Sequence, residues 1–408
     1  MSLNILGIIA EYNPFHNGHK HHLEESMKLT NSTHSVAVMS GHFLQRGEPA
    51  LLDKWTRASM AVSSGVDLVL ELPHMYSSQS AEIFSLGGIL TLEACGVINS
   101  ICFGSESSNL EKLSKIAEVL ALEPPEFKEL LQKKLKSGIS FPKAREEALK
   151  EMFNEDSFSF PSNDILGIEY LKALFKLKSS IKPFCIARRE AGYHSTDMIG
   201  SICSATAIRN YLKENKSLNQ LKDFVPNETF KTLSSKNLDD FMFLDKTFQI
   251  LKYAALTNDI SSIFDVSEGL ENSILRELKN SPSLEDALNK IKSKRYSMTR
   301  IKRCLINLLT GISKDMMKRV LSDDLNLPYL RVLAFNSKGR EILKEMKSKS
   351  KAPIIIKPSD FKASSKYEEL LFNQDLKATD IYNLILEKPN WANLDLITSP
   401  IYKKKDES

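Results

Sequence analysis

The 408-residue sequence is most informative at Gly7-Ile8-Ile9-Ala10-Glu11-Tyr12-Asn13-Pro14-Phe15-His16-Asn17-Gly18-His19. Apolar residues run to Ala10, a turn containing proline follows, and a His-x-Gly-His pattern stands where a helix is expected to begin. In an open α/β sheet, ligands bind beyond the carboxyl ends of the strands, and the free N–H groups of a helix N-terminus suit phosphate. Two imidazoles add side-chain donors, and the glycine between them lets a ligand approach the backbone. The stretch therefore predicts a binding site for the triphosphate of a nucleotide.

Strand and helix patterns alternate on both sides of this stretch. The predicted strands are Asn4–Ala10, Ser35–Ser40, Asp67–Leu72, Ser100–Gly104 and Pro183–Arg188. The predicted helices are His19–Leu29, Lys54–Ser63, Ser80–Ala94, Asp164–Leu177 and Ala205–Lys213. This order predicts the α/β class, with a parallel sheet and helices on both faces. Three helical patterns with proline punctuation break the alternation and predict a helical insertion at about 109–160.

The second half of the chain has a different composition. Residues 1–200 carry 20 Lys/Arg and 24 Asp/Glu, whereas the later residues have a net charge of +8 and no histidine. We predict three domains: a nucleotide-binding domain over 1–215, a basic helical domain over 216–325, and a small mixed α/β segment over 326–408. The last contains strand candidates Tyr329–Phe335 and Pro353–Ile356 and a disordered tail from Lys403.

A basic half is an electrostatic signature of a polyanionic partner such as RNA. Three lysine-rich stretches are candidates for phosphate contact: Lys213–Lys222, Lys290–Lys302 and Lys344–Lys351. The alternative, which charge alone favours, is a solvated helical surface.

Composition excludes several classes of protein. Apolar residues make up 42% and charged residues 26%, which is globular composition rather than disorder. No run of 18 apolar residues occurs, so no membrane span is expected. The N-terminus lacks the features of a signal peptide, so we expect a cytoplasmic location and no membrane partner. Five cysteines without a CxxC pair indicate neither a disulfide framework nor a zinc site.

Other phosphate and metal motifs are absent from the sequence. It contains neither GxxxxGK[ST] nor GxGxxG. His19 and His22 stand three residues apart on one helix, but no third ligand is evident, so no metal site is predicted. Mg²⁺ is expected only as the companion of ATP, because no carboxylate cluster marks a dedicated site.

The motifs resemble a known family. His16-Asn17-Gly18-His19 resembles the HxGH signature of the nucleotidyltransferase superfamily, which class I aminoacyl-tRNA synthetases share. The longer strings 11–19, 39–49 and 53–57 are similar to the bacterial tRNA(Met) cytidine acetate ligase family. Residues 103–106, residues 162–166 and the arginines at 188 and 189 also fit. These matches span residues 7–209, and beyond them the resemblance rests on length and helical texture.

The resemblance implies a Rossmann-like, HUP-type nucleotidyltransferase domain and an ATP-dependent ligase. In that family, acetate attacks the α-phosphate of ATP, and diphosphate leaves as acetyl adenylate forms. The N4 amine of the wobble cytidine of elongator tRNA(Met) then attacks the acetyl carbonyl, and AMP departs, leaving N4-acetylcytidine. The implied partners are therefore ATP, acetate and elongator tRNA(Met). Activation comes first because a cytosine amine, delocalised into its ring, is a poor nucleophile.

The resemblance also assigns residues. His16 and His19 are the candidate catalytic residues, and Lys20 either adds a charge beside them or is a solvated helix residue. The implied ATP-binding residues are Ile9, Ala10, Glu11, Tyr12, Asn13, Pro14, Phe15, His16, Asn17, Gly18, His19, Lys20, His21, His22, Gly104, Asn163, Arg188 and Arg189. One of the two arginines is equally well placed to face tRNA.

A candidate second phosphate motif comprises Ser204, Thr206 and Arg209. The alternative, given equal weight, is a serine that caps a helix carrying an ordinary arginine. The polar loop 41–54 is a candidate cover for the adenylate, although Asp53 more simply caps the next helix. Glu11 and Asn13 are equally suited to holding the turn in shape.

Three other functions stay open from the residues. The nearest is a nucleotidyltransferase that adenylylates a small coenzyme precursor, but this chain is longer than such proteins usually are. A class I aminoacyl-tRNA synthetase is less favoured because no lysine-rich signature loop is present. The third is a non-catalytic RNA-binding protein that retains a nucleotide pocket.

Overall fold

The computed structural model describes residues 3–139, 141–154, 161–188, 203–214, 217–322, 326–388 and 391–404. The strands are β1 (Ile5–Ala10), β2 (His34–Ser40), β3 (Leu68–Leu72), β4 (Ser100–Ser105), β5 (Lys182–Ala187), β6 (Leu330–Phe335), β7 (Ile354–Ile355) and β8 (Ile401–Tyr402). The helices of the first half are α1 (Asn17–Leu29), α2 (Lys54–Ser63), α3 (His74–Ser77), α4 (Ala81–Cys95), α5 (Leu110–Leu122), α6 (Pro125–Lys136), α7 (Phe141–Phe153), α8 (Ser162–Lys176) and α9 (Ala205–Lys213).

Helices dominate the second half, as its sequence pattern predicts. They are α10 (Asn227–Ser234), α11 (Phe248–Thr257), α12 (Leu270–Asn280), α13 (Leu284–Ile291), α14 (Met298–Thr310), α15 (Lys314–Val320), α16 (Ser337–Lys349), α17 (Lys366–Ile385) and α18 (Leu394–Ile397). Short 3₁₀ turns join several of them, including Leu218–Asp223 and Leu238–Asp240. None of the described helices is long and apolar enough to cross a membrane.

The central sheet has the strand order β5-β4-β1-β2-β3-β6-β7. Strands β1 to β5 are mutually parallel, which confirms the predicted sheet. The chain moves outward from β1 through β2 to β3, and then returns to the other side of β1 with β4 and β5. The strand order therefore reverses between β1 and β4, and such a switch point opens a crevice at the carboxyl ends of the strands.

The C-terminal segment extends the same sheet. Strand β6 pairs antiparallel with β3, while β7 and β8 pair parallel with β6. Lys403 donates its backbone N–H to the carbonyl of Phe335 at 2.9 Å, so the first residue of the predicted disordered tail is paired with the sheet. The tail from Lys405 onward lies outside the described residues, and its disorder stays a prediction. The division into three domains stays a prediction, and the sheet itself runs through the first and last of its segments.

Apolar side chains fill both faces of the sheet. One face holds Val36, Leu70 and residues of α4, α8 and α16, and the other holds Leu6, Phe15 and residues of α2 and α9. A third cluster lies within the helical segment around α14, α11 and α17. The insertion forms α5 to α7; α5 packs on α8, and α6 packs on α7. The sheet thus fixes the position of the crevice, and helices enclose it.

Candidate nucleotide-binding site

The predicted histidine motif forms the junction between β1 and α1. His16 is the N-cap of α1, and its Nδ1 accepts the backbone N–H of Gly18 at 3.0 Å. The Nδ1 of His19 accepts the backbone N–H of His16 at 3.3 Å, which completes a reciprocal capping box. The two rings stack with centroids 3.8 Å apart. Because each Nδ1 accepts a hydrogen bond, the proton of each neutral ring lies on Nε2, where it can be donated to a ligand.

The electrostatic environment keeps these imidazoles neutral. Burial, followed by the positive charges of Arg188 and Arg209, lowers the pKa of His16 to about 3. Burial, followed by His16, His22 and Arg188, holds the pKa of His19 well below its usual range. Burial, Arg188 and a neighbouring histidine lower the pKa of His22 to about 4. The site therefore combines neutral N–H donors with fixed arginine charge, which suits a polyanion.

The turn before the motif is rigidly held. Asn13 accepts the backbone N–H of Leu51 through its Oδ1 at 2.7 Å, and the Asn13–Pro14 peptide bond is cis. The carboxylate of Glu11 accepts the backbone N–H of Gln45 at 2.7 Å. These contacts support the interpretation that Glu11 and Asn13 shape the turn. Phe15 is fully buried, with its ring 5.5 Å from that of His19.

Arg57 ties this turn to the rest of the sheet edge. Its guanidinium is fully buried and donates to the carbonyls of Glu11 at 2.6 Å, Ser40 at 3.0 Å and Leu52 at 3.0 Å. A further bond joins it to the carbonyl of Gly41. The sequence comparison matched Arg57 to a family motif but gave it no role. In the sequence, Arg57 stands out only as a charged residue among the apolar residues of a predicted helix. A charge that becomes buried must be paired, which is the one indication of a structural role.

The candidate second phosphate motif lies against the same turn. Ser204 caps α9 by accepting the N–H of Ala207 at 3.1 Å. Arg209 donates to the carbonyl of Asn13 at 2.9 Å and to the hydroxyl of Thr206 at 3.2 Å. Burial lowers the pKa of Arg209, although nearby carboxylates oppose that shift. The helix-capping alternative therefore holds for Ser204, while Arg209 also reaches the nucleotide turn.

Glu48 connects this arginine to the helical segment. Its carboxylate lies 3.6 Å from Nη2 of Arg209 and 2.5 Å from Nζ of Lys302 on α14. Gly47, with φ of +74°, packs so closely on α14 that a Cβ would stand 2.3 Å from the backbone nitrogen of Arg303. The loop 41–53 is thus fixed between the nucleotide turn and α14.

The motifs around Gly104 and Asn163 meet at the ends of β4 and α8. Glu106 accepts from the side-chain nitrogen of Asn163 at 2.5 Å and from the backbone N–H of Asp164 at 3.1 Å. Asp164 in return accepts from Ser105 at 2.5 Å and from the backbone N–H of Glu106 at 3.0 Å. Because the side-chain nitrogen of Asn163 is used in this reciprocal cap, its side-chain oxygen Oδ1 is the atom suited to accept a hydrogen bond from a ligand. A Cβ on Gly104 would stand 3.9 Å from the ring of His22, so α1 passes close over β4.

The remaining residues predicted to bind ATP differ in how far they are exposed. Ile9 and Ala10 are half-buried at the end of β1, His21 is half-buried on α1, and Arg188 is exposed just after β5. Lys20 is exposed, and its Nζ lies 3.9 Å from Glu24. Arg189 lies outside the described residues. Buried or structural members of the predicted set are Tyr12, Pro14 and Asn17, of which Asn17 donates to the carbonyl of Asp223 at 2.8 Å.

In the loop 41–54, the carboxylate of Asp53 is engaged within the fold. Asp53 caps α2 by accepting the backbone N–H and the hydroxyl of Thr56 at 2.8 and 2.7 Å. His42 is buried, and burial followed by the charges of Lys54 and Arg57 holds its pKa well below the usual range. Within the described part of the chain, no three His, Cys, Asp or Glu residues are grouped to hold a metal ion.

A family model and several relatives match nearly the whole chain. A family model described as HIGH Nucleotidyl Transferase matches residues 3–395. The tRNA(Met) cytidine acetate ligase of Clostridium novyi is 45% identical, with 98% of this chain and 100% of the relative covered. The ligase of that name from Caldanaerobacter subterraneus subsp. tengcongensis is 46% identical with the same coverage.

Solved structures agree with these relatives. Thermotoga maritima TmcAL bound with alpha-thio ATP superposes with a TM-score of 0.90 at 33% identity, covering 99% of this chain and 100% of that one. Its apo form gives a TM-score of 0.92 at 34% identity with the same coverage. The fold is therefore that of a HUP-type nucleotidyltransferase, and the chain belongs to the tRNA(Met) cytidine acetate ligase family of enzymes.

Proposed function

We propose that this chain uses ATP to join acetate to N4 of the wobble cytidine of elongator tRNA(Met), and that residues 9–22, Gly104, Asn163 and Arg188 bind the ATP. A carboxylate oxygen of acetate forms a bond to the α-phosphorus, and the bond from that phosphorus to diphosphate breaks. The cytidine amine then attacks the acetyl carbonyl of the adenylate, AMP leaves, and the amine gives up a proton. The observation that carries the proposal is the capping box in which His16 and His19 direct both Nε2–H groups away from the backbone.

Neutral donors suit both steps of this reaction. Negative charge grows on the α-phosphate oxygens and on the departing diphosphate, and preorganised N–H groups stabilise such charge without gaining or losing a proton. Arg188 and Arg209 supply the positive charge that the histidines lack, as their effect on the pKa of His16 indicates. Arg209 reaches the turn from α9, which supports a role in holding it as well as in meeting phosphate.

RNA binding by the basic half is part of the proposal. Among the lysine-rich stretches, Lys302 is already paired with Glu48 at 2.5 Å, and Lys290 with Asp286 at 2.7 Å. Lys344 and Lys347 on α16 are exposed. We expect the exposed lysines to contribute the salt-dependent part of tRNA affinity. Mg²⁺ would arrive with ATP, and cytoplasmic tRNA would be the substrate.

The experiment is to incubate the full chain with ATP, labelled acetate and bulk tRNA, and to measure label in tRNA alongside acetate-dependent exchange of diphosphate into ATP. Label in elongator tRNA(Met) is the expected result. Exchange that requires another carboxylic acid would favour the small-molecule nucleotidyltransferase, and no ATP turnover would favour a binding protein. His34→Gln is a control that should change neither readout, because His34 begins β2 at the amino end of the strand, away from the carboxyl ends where the nucleotide turn lies.

A further inference from the structure

A cavity outside the nucleotide site lies between α2, α17 and the C-terminal segment. Its volume is about 370 Å³, within the range of small-ligand pockets. Aromatic rings, one amide, charged groups and apolar side chains line it. The aromatic and polar lining residues considered below are Trp55, Tyr382, Asn383, Lys236, Lys388 and Asp240.

Asn383 is the polar group built into this cavity. Its side chain is 4% exposed, and it lines the cavity from α17. Its Nδ2 donates to the carbonyl of Thr379 at 3.0 Å, which fixes the orientation of the amide. Among the described residues, no group donates a hydrogen bond to its Oδ1. The second N–H and this oxygen form an adjacent donor and acceptor, the pattern with which asparagine reads the edge of an adenine.

One side of the cavity is lined by aromatic residues. Trp55 is 8% exposed, and Tyr382 is fully buried and fixed by donating its hydroxyl to the carbonyl of Ala50 at 2.9 Å. The ring of His42 lies 4.5 Å from that of Tyr382 and 5.7 Å from that of Trp55. Trp55 is therefore the ring with accessible surface at the cavity, and such a ring can pack against an unpaired base, while the buried rings support it.

The two carboxylates at the cavity are already engaged. Asp53 caps α2, and Asp240 pairs with Lys388 at 3.2 Å. In the described part of the chain, Lys236 has no carboxylate within ion-pair distance. Lys236 therefore carries a positive charge at the cavity outside the direct ion pairs of the described residues, although it also acts electrostatically on the carboxylate of Asp240.

A second cavity adjoins the first through Lys236. Hydroxyl and ammonium groups line it: Thr56, Ser59, Thr232, Ser235, Lys231 and Lys236. Such groups suit the sugar–phosphate backbone of a nucleic acid. The cavity that contains Trp55 and the amide of Asn383 thus adjoins a polar cavity at Lys236, a pairing that suits a base and its phosphate.

The first cavity and the nucleotide turn share one loop. Leu52 lines the cavity, while its neighbour Leu51 donates its backbone N–H to the side chain of Asn13 in the turn. Leu52 also accepts from Arg57, which holds the carbonyl of Glu11. The loop therefore contacts the nucleotide turn through Leu51 and the cavity through the next residue, Leu52.

We propose that the cavity is a subsite for a second, unpaired base of the RNA substrate, read by Asn383, packed against Trp55 and anchored through its phosphate by Lys236. The base presents a donor beside an acceptor, as adenine does. This inference rests on the proposed function, because it takes RNA as the substrate. It assigns to the cavity the choice of RNA rather than the chemistry of acetyl transfer.

Kinetics with full-length tRNA(Met) test the subsite. Asn383→Asp keeps the shape and the acceptor but removes the donor, so KM for tRNA should rise at least about fivefold, with kcat and acetate-dependent diphosphate exchange unchanged. Lys236→Gln should lower the slope of log affinity against log salt by about one. Lys136→Gln, an exposed lysine on α6, is the matched control and should change neither quantity. Unchanged KM in Asn383→Asp and an unchanged salt slope in Lys236→Gln would overturn the proposal.

Fluorescence gives a readout that does not depend on turnover. The chain has two tryptophans, so Trp391→Phe leaves Trp55 as the only reporter. With the nucleotide turn saturated by a non-hydrolysable ATP analogue, a single-stranded RNA containing the anticodon loop should quench Trp55, and Asn383→Asp should weaken that quenching. Absence of quenching would contradict the subsite. Quenching without acetylation of tRNA would support the subsite while refuting the proposed reaction.

Discussion

The two nitrogens of the His19 ring have separate tasks. Nδ1 accepts the backbone N–H of His16 and so helps to begin α1, while Nε2 carries the proton that we propose is donated to the nucleotide. Asparagine can reproduce the first nitrogen and glutamine the second. The ring is therefore both a structural cap and a donor, and the two functions can be separated by substitution.

We expect His19→Asn to fold normally but to lose about 10²-fold in the rate of acetate-dependent diphosphate exchange, because the ligand-facing donor is gone. His19→Gln, which restores a donor near the position of Nε2, should keep more activity than His19→Asn. Thermal melting by circular dichroism verifies folding of both variants. Equal activity of His19→Asn and the wild type would remove His19 from the catalytic machinery.

His74 is a buried histidine that the site does not use. Both ring nitrogens are buried without a hydrogen-bond partner, and burial, followed by the charges of Lys377 and Lys54, lowers its pKa to about 3 from 6.5. The unfolded chain therefore binds a proton below pH 6.5 that the native chain does not. The stability contributed by the neutral ring is complete above pH 6.5 and is lost as the pH falls from 6.5 toward 3.

His74→Phe should therefore raise the free energy of unfolding by about 1 kcal/mol at pH 7, since it removes unpaired polar atoms next to the ring of Phe43. The gain should grow as the pH is lowered from 6.5 to 5. Urea denaturation at several pH values measures both effects. A gain that does not change with pH would show that His74 is not buried in its neutral form.

At the scale of elements, local patterns were the easiest to predict. The start of α1, the bounds of α2 and the order β1 to β5 follow from apolar periodicity and capping residues within a few positions of one another. Helix α3 and strand β8 were missed because four and two residues are too short to show a period. The reciprocal cap between Glu106 and Asp164 joins two motifs that the family comparison matched separately, and no local pattern announces a contact between residues 58 positions apart.

The same distinction governs the candidate site. His16 and His19 were predicted because the motif, its turn and its helix are contiguous. Arg57 and Glu48 were given no role, since each acts through partners from other elements that only the folded chain brings together. Polar residues that organise a site from a distance leave no periodic signal in the sequence.

At the scale of the whole molecule, a buried ion cluster joins the C-terminal segment to the sheet. The carboxylate of Asp395 lies 2.5 Å from Nζ of Lys54 and 2.5 Å from Nη2 of Arg331, and all three side chains are at most 3% exposed. Lys54 also contacts Glu71 at 2.7 Å. Burial would raise the pKa of Asp395, but Lys54 and Arg331 outweigh it and lower the pKa to about 2. Asp395 therefore neutralises the buried charges of Lys54 on α2 and Arg331 on β6.

Antiparallel addition of β6 to β3 was not predicted for the same reason. Its partner lies more than 250 residues earlier, and the apolar pattern of Leu330–Phe335 fits either an edge strand or a separate sheet. Only the pairing of Asp395 with Lys54 and Arg331 distinguishes the two, and a single carboxylate in the sequence gives no sign of it. The C-terminal segment consequently continues the sheet that carries the nucleotide turn.

Removal of that carboxylate should unfold this junction. Asp395→Ala leaves Lys54 and Arg331 buried without full compensation, so we expect a loss of about 3–5 kcal/mol in the free energy of unfolding by urea denaturation. Asp360→Ala, which breaks an exposed pair with Lys357, should change stability by less than about 0.5 kcal/mol.

A double-mutant cycle separates the ion pair from simple cavity formation. Lys54→Met removes one of the two charges that Asp395 neutralises, so the double variant Lys54→Met/Asp395→Ala should be more stable than the sum of the two single losses by about 1–3 kcal/mol. Because Lys54 begins α2 beside the loop that holds the nucleotide turn, Asp395→Ala should also raise KM for ATP in diphosphate exchange. If the two losses in free energy of unfolding are additive and KM for ATP is unchanged, the ion cluster contributes no more than ordinary packing. The C-terminal segment then has no part in the function of the site.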